Sequence, residues 1–148
     1  MIIKRKILPK LLAWRESQGR KPLILQGVRQ VGKTWLLKHF GKEHFESIAY
    51  FNFDQQHELK QFFVTTKDTK RILQNLSLVH GKPILPQKTL VIFDEIQECN
   101  DALNALKYFC EDCPEYAIAC AGSLLGVALS RGASFPVGKV EFLGIKGY

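Results

Sequence analysis

The 148-residue sequence lacks several features that would set it apart from ordinary globular domains. No Pro-, Gly- or Ser-rich linker and no internal repeat divides it. Its apolar runs are short, far below the roughly 20 residues that a membrane-spanning helix requires. The basic start at Met1–Lys6 is not followed by the apolar stretch that a secretory signal requires. These absences argue against a membrane span and an export signal, and they predict a single cytoplasmic domain.

The sequence lacks the cysteine spacing that would suggest a metal or disulfide framework. The four cysteines are Cys99, Cys110, Cys113 and Cys120. Cys110 and Cys113 form one C-x-x-C pair, but no second pair or spaced histidines accompany it, as a zinc site would require. Cys120 lies in an apolar run, where a thiol usually packs as a small hydrophobic group. We therefore expect free thiols in a reducing compartment.

Acidic residues are nearly absent from the first third of the chain. Residues 1–45 hold eleven Lys and Arg but only Glu16 and Glu43 as acids, whereas the whole chain has a net charge of +7. An excess of positive charge predicts a polyanionic partner, such as nucleotide phosphates, DNA or another protein with an acidic surface. A solvated basic face on an ordinary domain is the alternative that charge alone leaves open.

Apolar patterning alternates between helical and strand-like segments along the chain. Helical spacing is found at 7–15, 34–40, 58–63, 69–79, 101–110 and 124–129. Strand-like runs lie at 23–25, 48–53, 89–93, 116–121 and 140–143. Strands that alternate with helices favour a parallel sheet covered on both faces, which is an α/β architecture.

The most specific motif is a glycine-rich loop between a predicted strand and a predicted helix. Residues 27–34 read GVRQVGKT, a full match to G-x-x-x-x-G-K-[ST]. Glycine allows backbone torsions in which successive N–H groups point at phosphate oxygens, and the following helix adds its positive end. Lys33 is expected to contact the β- and γ-phosphates, and the Thr34 hydroxyl to bind Mg²⁺.

A second motif is an apolar strand that ends in two carboxylates, Asp94 and Glu95. At the carboxyl edge of the sheet, Asp94 is expected to hold Mg²⁺, and Glu95 to polarise the water that attacks the γ-phosphate. The alternative is that the pair supplies negative charge at the start of the next helix.

Three further polar residues are candidate functional residues because of their positions in the sequence. Ser123 comes directly after a predicted strand and is expected to touch the γ-phosphate or orient the attacking water. The alternative is that it caps the next helix, and one hydroxyl can serve both roles. Arg29 lies inside the glycine-rich loop and is a candidate to contact the nucleotide. Arg131 is a candidate to neutralise transition-state charge across a subunit boundary, which would require a homo-oligomer. A surface position is the alternative for both arginines.

The sequence resembles the bacterial and archaeal AAA+ ATPases in which the nucleotide-binding domain is usually followed by a separate, often nuclease-like, C-terminal domain. The segments that carry the resemblance are LQGVRQVGKT (25–34), VIFDEIQ (91–97), AGSLL (121–125) and SFPVGKVEFL (134–143).

The resemblance implies a three-layer α/β/α sandwich with a mainly parallel five-stranded sheet in the order 5-1-4-3-2, and ATP with Mg²⁺ as ligands. It makes Thr34 and Asp94 the metal-binding residues, with Glu95 and Ser123 as the catalytic ones. The nucleotide-binding residues would be Gly27, Val28, Arg29, Gln30, Val31, Gly32, Lys33, Thr34 and Trp35.

The sequence departs from the family at its end, because members continue beyond the point where Tyr148 lies. We therefore expect residues 1–148 to form the nucleotide-binding core alone, without a helical lid or C-terminal domain. Weak binding and turnover below about 1 s⁻¹ would follow. Two alternatives to an ATPase stay open. One is a non-catalytic module that binds nucleotide or nucleic acid, and the other is a small-molecule kinase.

Overall fold

The structure, a computed structural model, describes residues 2–27, 32–122 and 138–145 of the chain. The helices are α1 (Ile2–Glu16), α2 (Lys33–His44), α3 (Leu59–Thr65), α4 (Thr69–His80) and α5 (Asn100–Asp112), with a 3₁₀ turn at Ile96–Glu98. The strands are β1 (Leu23–Gly27), β2 (Ser47–Asn52), β3 (Thr89–Asp94), β4 (Ala117–Ala121) and β5 (Glu141–Ile145). Within these ranges, no helix combines the length and the hydrophobicity needed to cross a membrane.

The strands of the described ranges form one parallel sheet in the order β2-β3-β4-β1-β5. Read from the other edge, this is the order 5-1-4-3-2 that the family resemblance implies, so the predicted α/β fold class is confirmed. Strand β4 pairs with both β1 and β3 and holds them one strand apart. The carboxyl ends of β1, β3 and β4 therefore lie side by side.

Alternation along the buried strands creates two hydrophobic layers, one on each face of the sheet. On β3, Leu90 and Ile92 pack with α1 and α2, whereas Val91 and Phe93 pack with α3, α4 and α5. Every residue of β3 is buried, as a strand covered on both faces requires. The result is the predicted sandwich of helix, sheet and helix layers.

Local sequence signals account for the ends of α4. Asp68 precedes the helix, and its carboxylate accepts hydrogen bonds from the backbone N–H groups of Lys70 and Arg71 at 3.1 and 3.4 Å. Gly81 ends the helix with φ of +82°, a left-handed conformation that glycine adopts without steric cost. The predicted helix at 69–79 is therefore observed almost residue for residue.

Other predicted boundaries differ from the structure. Helix α1 begins at Ile2 and continues through Pro9, whereas the apolar spacing predicted a helix only from Ile7. The 3₁₀ turn after β3 was not predicted. The predicted helix at 124–129 lies outside the described residues.

Arg20 joins the end of α1 to the amino-terminal side of the sheet. Its guanidinium is buried and donates to the Arg15 carbonyl at 3.2 Å, to Gln87 Oε1 at 3.2 Å and to the Glu115 carbonyl at 3.1 Å. It also lies 5.7 Å from the centre of the Trp14 ring. This basic residue therefore supports the fold rather than a surface that faces solvent.

We predict that Phe93→Ala lowers the free energy of unfolding by about 3–5 kcal/mol, because it empties the centre of the larger hydrophobic layer. The Phe93 ring contacts Phe51, Phe53, Phe63 and Phe109 at centroid distances of 5.5–6.2 Å. Urea denaturation would measure the change. Leu78→Ala is the control, since Leu78 is 79% exposed and its loss should change stability by less than about 0.5 kcal/mol.

Candidate functional site

A polar pocket lies at the carboxyl edge of the sheet, where β3 and β4 end and α2 begins. Its lining residues are Gly32, Lys33, Thr34, Asp94, Glu95, Ala121 and Gly122. In open parallel sheets, ligands bind outside the carboxyl ends of the strands. Five of these seven residues belong to the two motifs that the sequence indicated, so the fold brings together groups that are 60 residues apart in the chain.

The start of α2 is shaped to receive an anion. Gly32 has φ of +71° and ψ of 42°, a left-handed conformation that a side chain would strain. The helix has no side-chain cap and no acidic residue in its first turn. Its first backbone N–H groups and the positive end of its dipole therefore face the pocket without a competing negative charge from that turn.

Lys33 is held inside this pocket by two backbone carbonyls. Its Nζ donates to the carbonyl oxygens of Gly27 and Gly122, each at 3.2 Å, and the residue is only 8% exposed. Burial lowers the pKa of Lys33, although Glu95 and Asp94 act in the opposite direction. Because both hydrogen-bond partners are neutral, no direct ion pair within the described part of the chain neutralises the ammonium, which leaves it suited to bind phosphate.

Thr34 and Asp94 join α2 to the end of β3. The Thr34 hydroxyl donates to Asp94 Oδ2 at 2.9 Å, and Asp94 is 6% exposed. The other oxygen, Oδ1, accepts the Glu95 backbone N–H at 3.0 Å. The pair presents a hydroxyl and a carboxylate, which are hard oxygen ligands of the kind that Mg²⁺ prefers.

The Tyr50 side chain, on the neighbouring strand β2, also reaches Asp94. Its hydroxyl donates to Oδ2, the same oxygen that Thr34 contacts. Burial and the hydrogen bond to Asp94 raise the pKa of Tyr50 to about 12, so the phenol stays protonated and acts as a donor at neutral pH. The Lys38 ammonium lies 3.8 Å from the centre of the Tyr50 ring, a cation–π contact of about 0.5–2 kcal/mol that holds the ring in place.

Glu95 occupies a strained backbone position between β3 and the 3₁₀ turn. Its φ of +54° and ψ of 41° are left-handed, which costs a residue with a side chain about 1–2 kcal/mol. Gln97 Nε2 donates to Glu95 Oε2 at 2.8 Å and so restrains the carboxylate. Strain retained at the end of a buried strand is a frequent sign of a functional position.

Gln97 also touches the backbone that follows β4. Its Oε1 is buried and has no hydrogen-bond partner in the described ranges, and it lies 2.0 Å from where a Cβ at Gly122 would stand. Turning the amide over would place this oxygen against the Glu95 carboxylate, where the two would repel. The contact with Glu95 therefore determines how the Gln97 amide lies.

Not every predicted site residue lies at the pocket. The Gly27 carbonyl accepts a hydrogen bond from Lys33. The Trp35 side chain, in contrast, does not line the pocket. It is 51% exposed and stacks on His39, with 5.0 Å between the ring centres. Val28, Arg29, Gln30, Val31, Ser123 and Arg131 lie outside the described residues.

Sequence reasoning missed Tyr50 and Gln97. Tyr50 was recoverable in principle, because it has the same side-chain parity as Asn52, which pairs with Asp94 across the sheet. This relation predicts a contact between Tyr50 and Asp94 only once β2 is known to lie beside β3. Gln97 is part of the VIFDEIQ segment, but its contact depends on the tight turn after Glu95.

The sequence pattern of the AAA domain family matches residues 19–147, which is most of the chain. The chain belongs to this AAA family. Together with the parallel sheet and the pocket, this makes it a nucleotide-binding core of the AAA+ type. No curated protein sequence matches the chain.

Two solved structures align with nearly the whole of this chain. The Aeropyrum pernix Orc1 protein, in its complex with DNA, aligns with 99% of this chain and 45% of its own, at 15% identity and a TM-score of 0.52. Caenorhabditis elegans PCH-2 aligns with 99% of this chain and 43% of its own, at 15% identity and a TM-score of 0.49. The chain thus spans less than half the length of either structure, and at this identity the likeness to Orc1 shows the fold alone.

A double-mutant cycle tests the contact between Gln97 and Gly122. We predict that Gly122→Ala lowers the free energy of unfolding by about 1–3 kcal/mol, because the new methyl group displaces the Gln97 amide from Glu95. In a Gln97→Ala background the same substitution should cost almost nothing, since the obstructing oxygen is gone. Thermal or urea unfolding of the four proteins measures this coupling.

Gly144→Ala is the matched control for this cycle. Gly144 lies in β5, and a Cβ there would meet no atom within 4 Å. It should leave stability unchanged or slightly increased. Equal costs for Gly122→Ala with and without Gln97 would disprove the contact.

Proposed function

We propose that this AAA domain binds ATP with Mg²⁺ at the pocket between α2, β3 and β4 and hydrolyses it to ADP and phosphate. The observation that carries the proposal is that the buried Lys33 ammonium, which has no direct carboxylate partner among the described residues, lies in the same pocket as the paired oxygens of Thr34 and Asp94. These groups are complementary to a polyphosphate and its cation. The domain that we propose extends over residues 1–148.

Lys33 is the residue that we expect to bind the phosphates. The two carbonyls that it now contacts are weaker partners than phosphate oxygens, since a carbonyl oxygen carries only a partial charge whereas phosphate oxygens carry formal negative charge that attracts the ammonium. The ammonium can therefore exchange those partners for a ligand without leaving the pocket. The backbone N–H groups at the start of α2 would contact the same phosphates.

Thr34 and Asp94 are the residues that we expect to hold Mg²⁺. The site fits this cation because both groups offer oxygen and lie 2.9 Å apart. Among the described residues, no three His, Cys, Asp or Glu side chains converge as a metal site made by protein alone would require. Mg²⁺ usually takes its remaining ligands from water and phosphate, which agrees with two protein groups. When bound, Mg²⁺ supplies positive charge that neutralises the phosphate oxygens.

Glu95 is the general base that we propose for hydrolysis. It lines the pocket next to Asp94, and Gln97 orients its carboxylate. The carboxylate would accept the proton of a water molecule as the water oxygen bonds to the γ-phosphorus. The bond to the β–γ bridging oxygen then breaks, and ADP and phosphate leave. Ser123 remains our prediction for the residue that orients this water.

Calorimetric titration tests the binding part of the proposal. We predict that ATP binds in an Mg²⁺-dependent manner and that Lys33→Ala weakens this binding about 100-fold, since it removes a charged hydrogen-bond donor from the phosphates. ATP, GTP and a non-hydrolysable ATP analogue would each be titrated with and without Mg²⁺. The comparison with GTP tests whether the site prefers adenine to guanine.

Lys42→Ala is the matched control for Lys33→Ala. It removes the same charge from α2, but at an exposed position near the other end of that helix. Its affinity for ATP should match the unaltered protein within twofold. Unchanged ATP affinity in a folded Lys33→Ala protein would refute the proposed site.

Turnover of the Glu95→Gln variant tests the catalytic part. We predict that the rate falls at least about 100-fold because the general base is lost, while ATP affinity changes little. Phosphate release under saturating ATP measures the rate. Glu98→Gln, which changes an exposed glutamate in the 3₁₀ turn that follows Glu95, is the control and should retain full activity. Normal turnover in Glu95→Gln would overturn the role of Glu95 as general base. No turnover in any form of the protein would favour the non-catalytic alternative.

DNA or protein binding by the basic N-terminal third remains a prediction, and the fold reduces the charge available for it. Arg15 and Lys38 lie over aromatic rings, while Arg20 and Lys33 are buried. At least four of the eleven basic residues therefore interact within the chain. DNA binding through phosphates would weaken steeply between about 50 and 200 mM salt, so an affinity independent of salt would count against it.

A further inference from the structure

A chain of hydrogen bonds leads from the turn after β2 to Asp94, the proposed metal-binding carboxylate. At each step the group nearer the turn is the donor. The backbone N–H groups of Asp54 and Gln55 donate to Asn52 Oδ1 at 2.9 and 3.1 Å. Asn52 Nδ2 donates to the Tyr50 hydroxyl oxygen at 3.2 Å. The Tyr50 hydroxyl then donates to Asp94 Oδ2.

Each step in this chain determines the next. The two backbone donors can only be accepted by the amide oxygen of Asn52, so its NH₂ group must face Tyr50. Because that NH₂ group is a donor, it occupies a lone pair of the Tyr50 oxygen and leaves the hydroxyl proton free for Asp94. The position of the Tyr50 proton is therefore dictated by the backbone of the following turn.

Asp94 Oδ2 thus receives hydrogen bonds from two elements, α2 through Thr34 and β2 through Tyr50. A hydroxyl can bind a cation through a lone pair while it still donates its proton, so Thr34 can keep its bond to Asp94 when a metal is present. Tyr50 holds the carboxylate from the neighbouring strand. Without it, the carboxylate would have greater freedom to rotate about its Cβ–Cγ bond.

We propose that Tyr50 is a positioning residue for Mg²⁺, which fixes the Asp94 carboxylate in the orientation that binds the cation of the nucleotide complex. This inference rests on the proposed function, since it concerns the same pocket. Partners that orient a metal-binding carboxylate typically change metal affinity 10- to 100-fold when removed.

Tyr50→Phe tests the role directly, because it removes the hydroxyl and keeps the ring. ATP affinity would be measured by calorimetry over a range of Mg²⁺ concentrations and also in EDTA. We expect a rise of about tenfold in the Mg²⁺ concentration at which half of the Mg²⁺-dependent gain in ATP affinity is reached. Affinity for ATP in EDTA should stay within twofold, which a general loss of structure would not allow.

Tyr108→Phe is the matched control. Tyr108 lies on α5, does not line the pocket, and has a lysine near its ring as Tyr50 has, with Lys107 Nζ at 4.9 Å from its centre. This variant should show the Mg²⁺ dependence of the unaltered protein. An equal Mg²⁺ dependence in folded Tyr50→Phe would overturn the inference while the proposed function stands. If the unaltered protein shows no Mg²⁺-dependent ATP binding, both the inference about Tyr50 and the proposed function are refuted.

A measurement on the unaltered protein covers the case in which Tyr50→Phe does not fold. The chain has four tyrosines, Tyr50, Tyr108, Tyr116 and Tyr148. With ¹³Cζ-labelled tyrosine, the Tyr50 signal should move when Mg²⁺ is added to the ATP-bound protein, because its acceptor on Asp94 is then shared with the cation. Phe substitutions at the other three positions assign it by elimination. A Tyr50 signal that does not respond to Mg²⁺ would overturn the proposal.

Discussion

The pairing of β4 between β1 and β3 is the constraint on which the rest of the structure depends. Because these three strands are parallel, their carboxyl ends lie together, and each delivers one part of the pocket. Gly27 and Gly122 supply the carbonyls that hold Lys33, and Asp94 supplies the carboxylate. An antiparallel β4 would send Gly122 to the opposite edge and leave the Lys33 ammonium without one of its two partners.

The pocket is built from groups that are individually unfavourable for folding. Lys33 is buried beside neutral carbonyls, Glu95 has a left-handed backbone and Gln97 Oε1 has no hydrogen-bond partner in the described ranges. The aromatic layer centred on Phe93 contributes stability that offsets these costs. Phe93 and Asp94 are consecutive, so the strand that anchors the core also presents the carboxylate.

Much of the site could be predicted from local sequence, because its two motifs are contiguous. The GVRQVGKT segment carries the glycines, the lysine and the hydroxyl within eight residues, and Asp94 and Glu95 directly follow an unmistakable buried strand. Tyr50 and Gln97 could not be assigned in the same way. Their roles depend on which strand lies beside β3 and on the torsion angles at Glu95, and neither of these is a property of a short segment.

The sequence by itself determined the alternation of helices and strands, the glycine-rich loop and the carboxylate pair. These follow from periodicity and from residue chemistry over short distances. Only the tertiary structure decided that Trp35 faces outward, that Arg20 and Lys38 serve packing, and that Tyr50 reaches Asp94. Those outcomes depend on strand order and register, which are set by the burial of two whole faces of the sheet and not by any one of its strands.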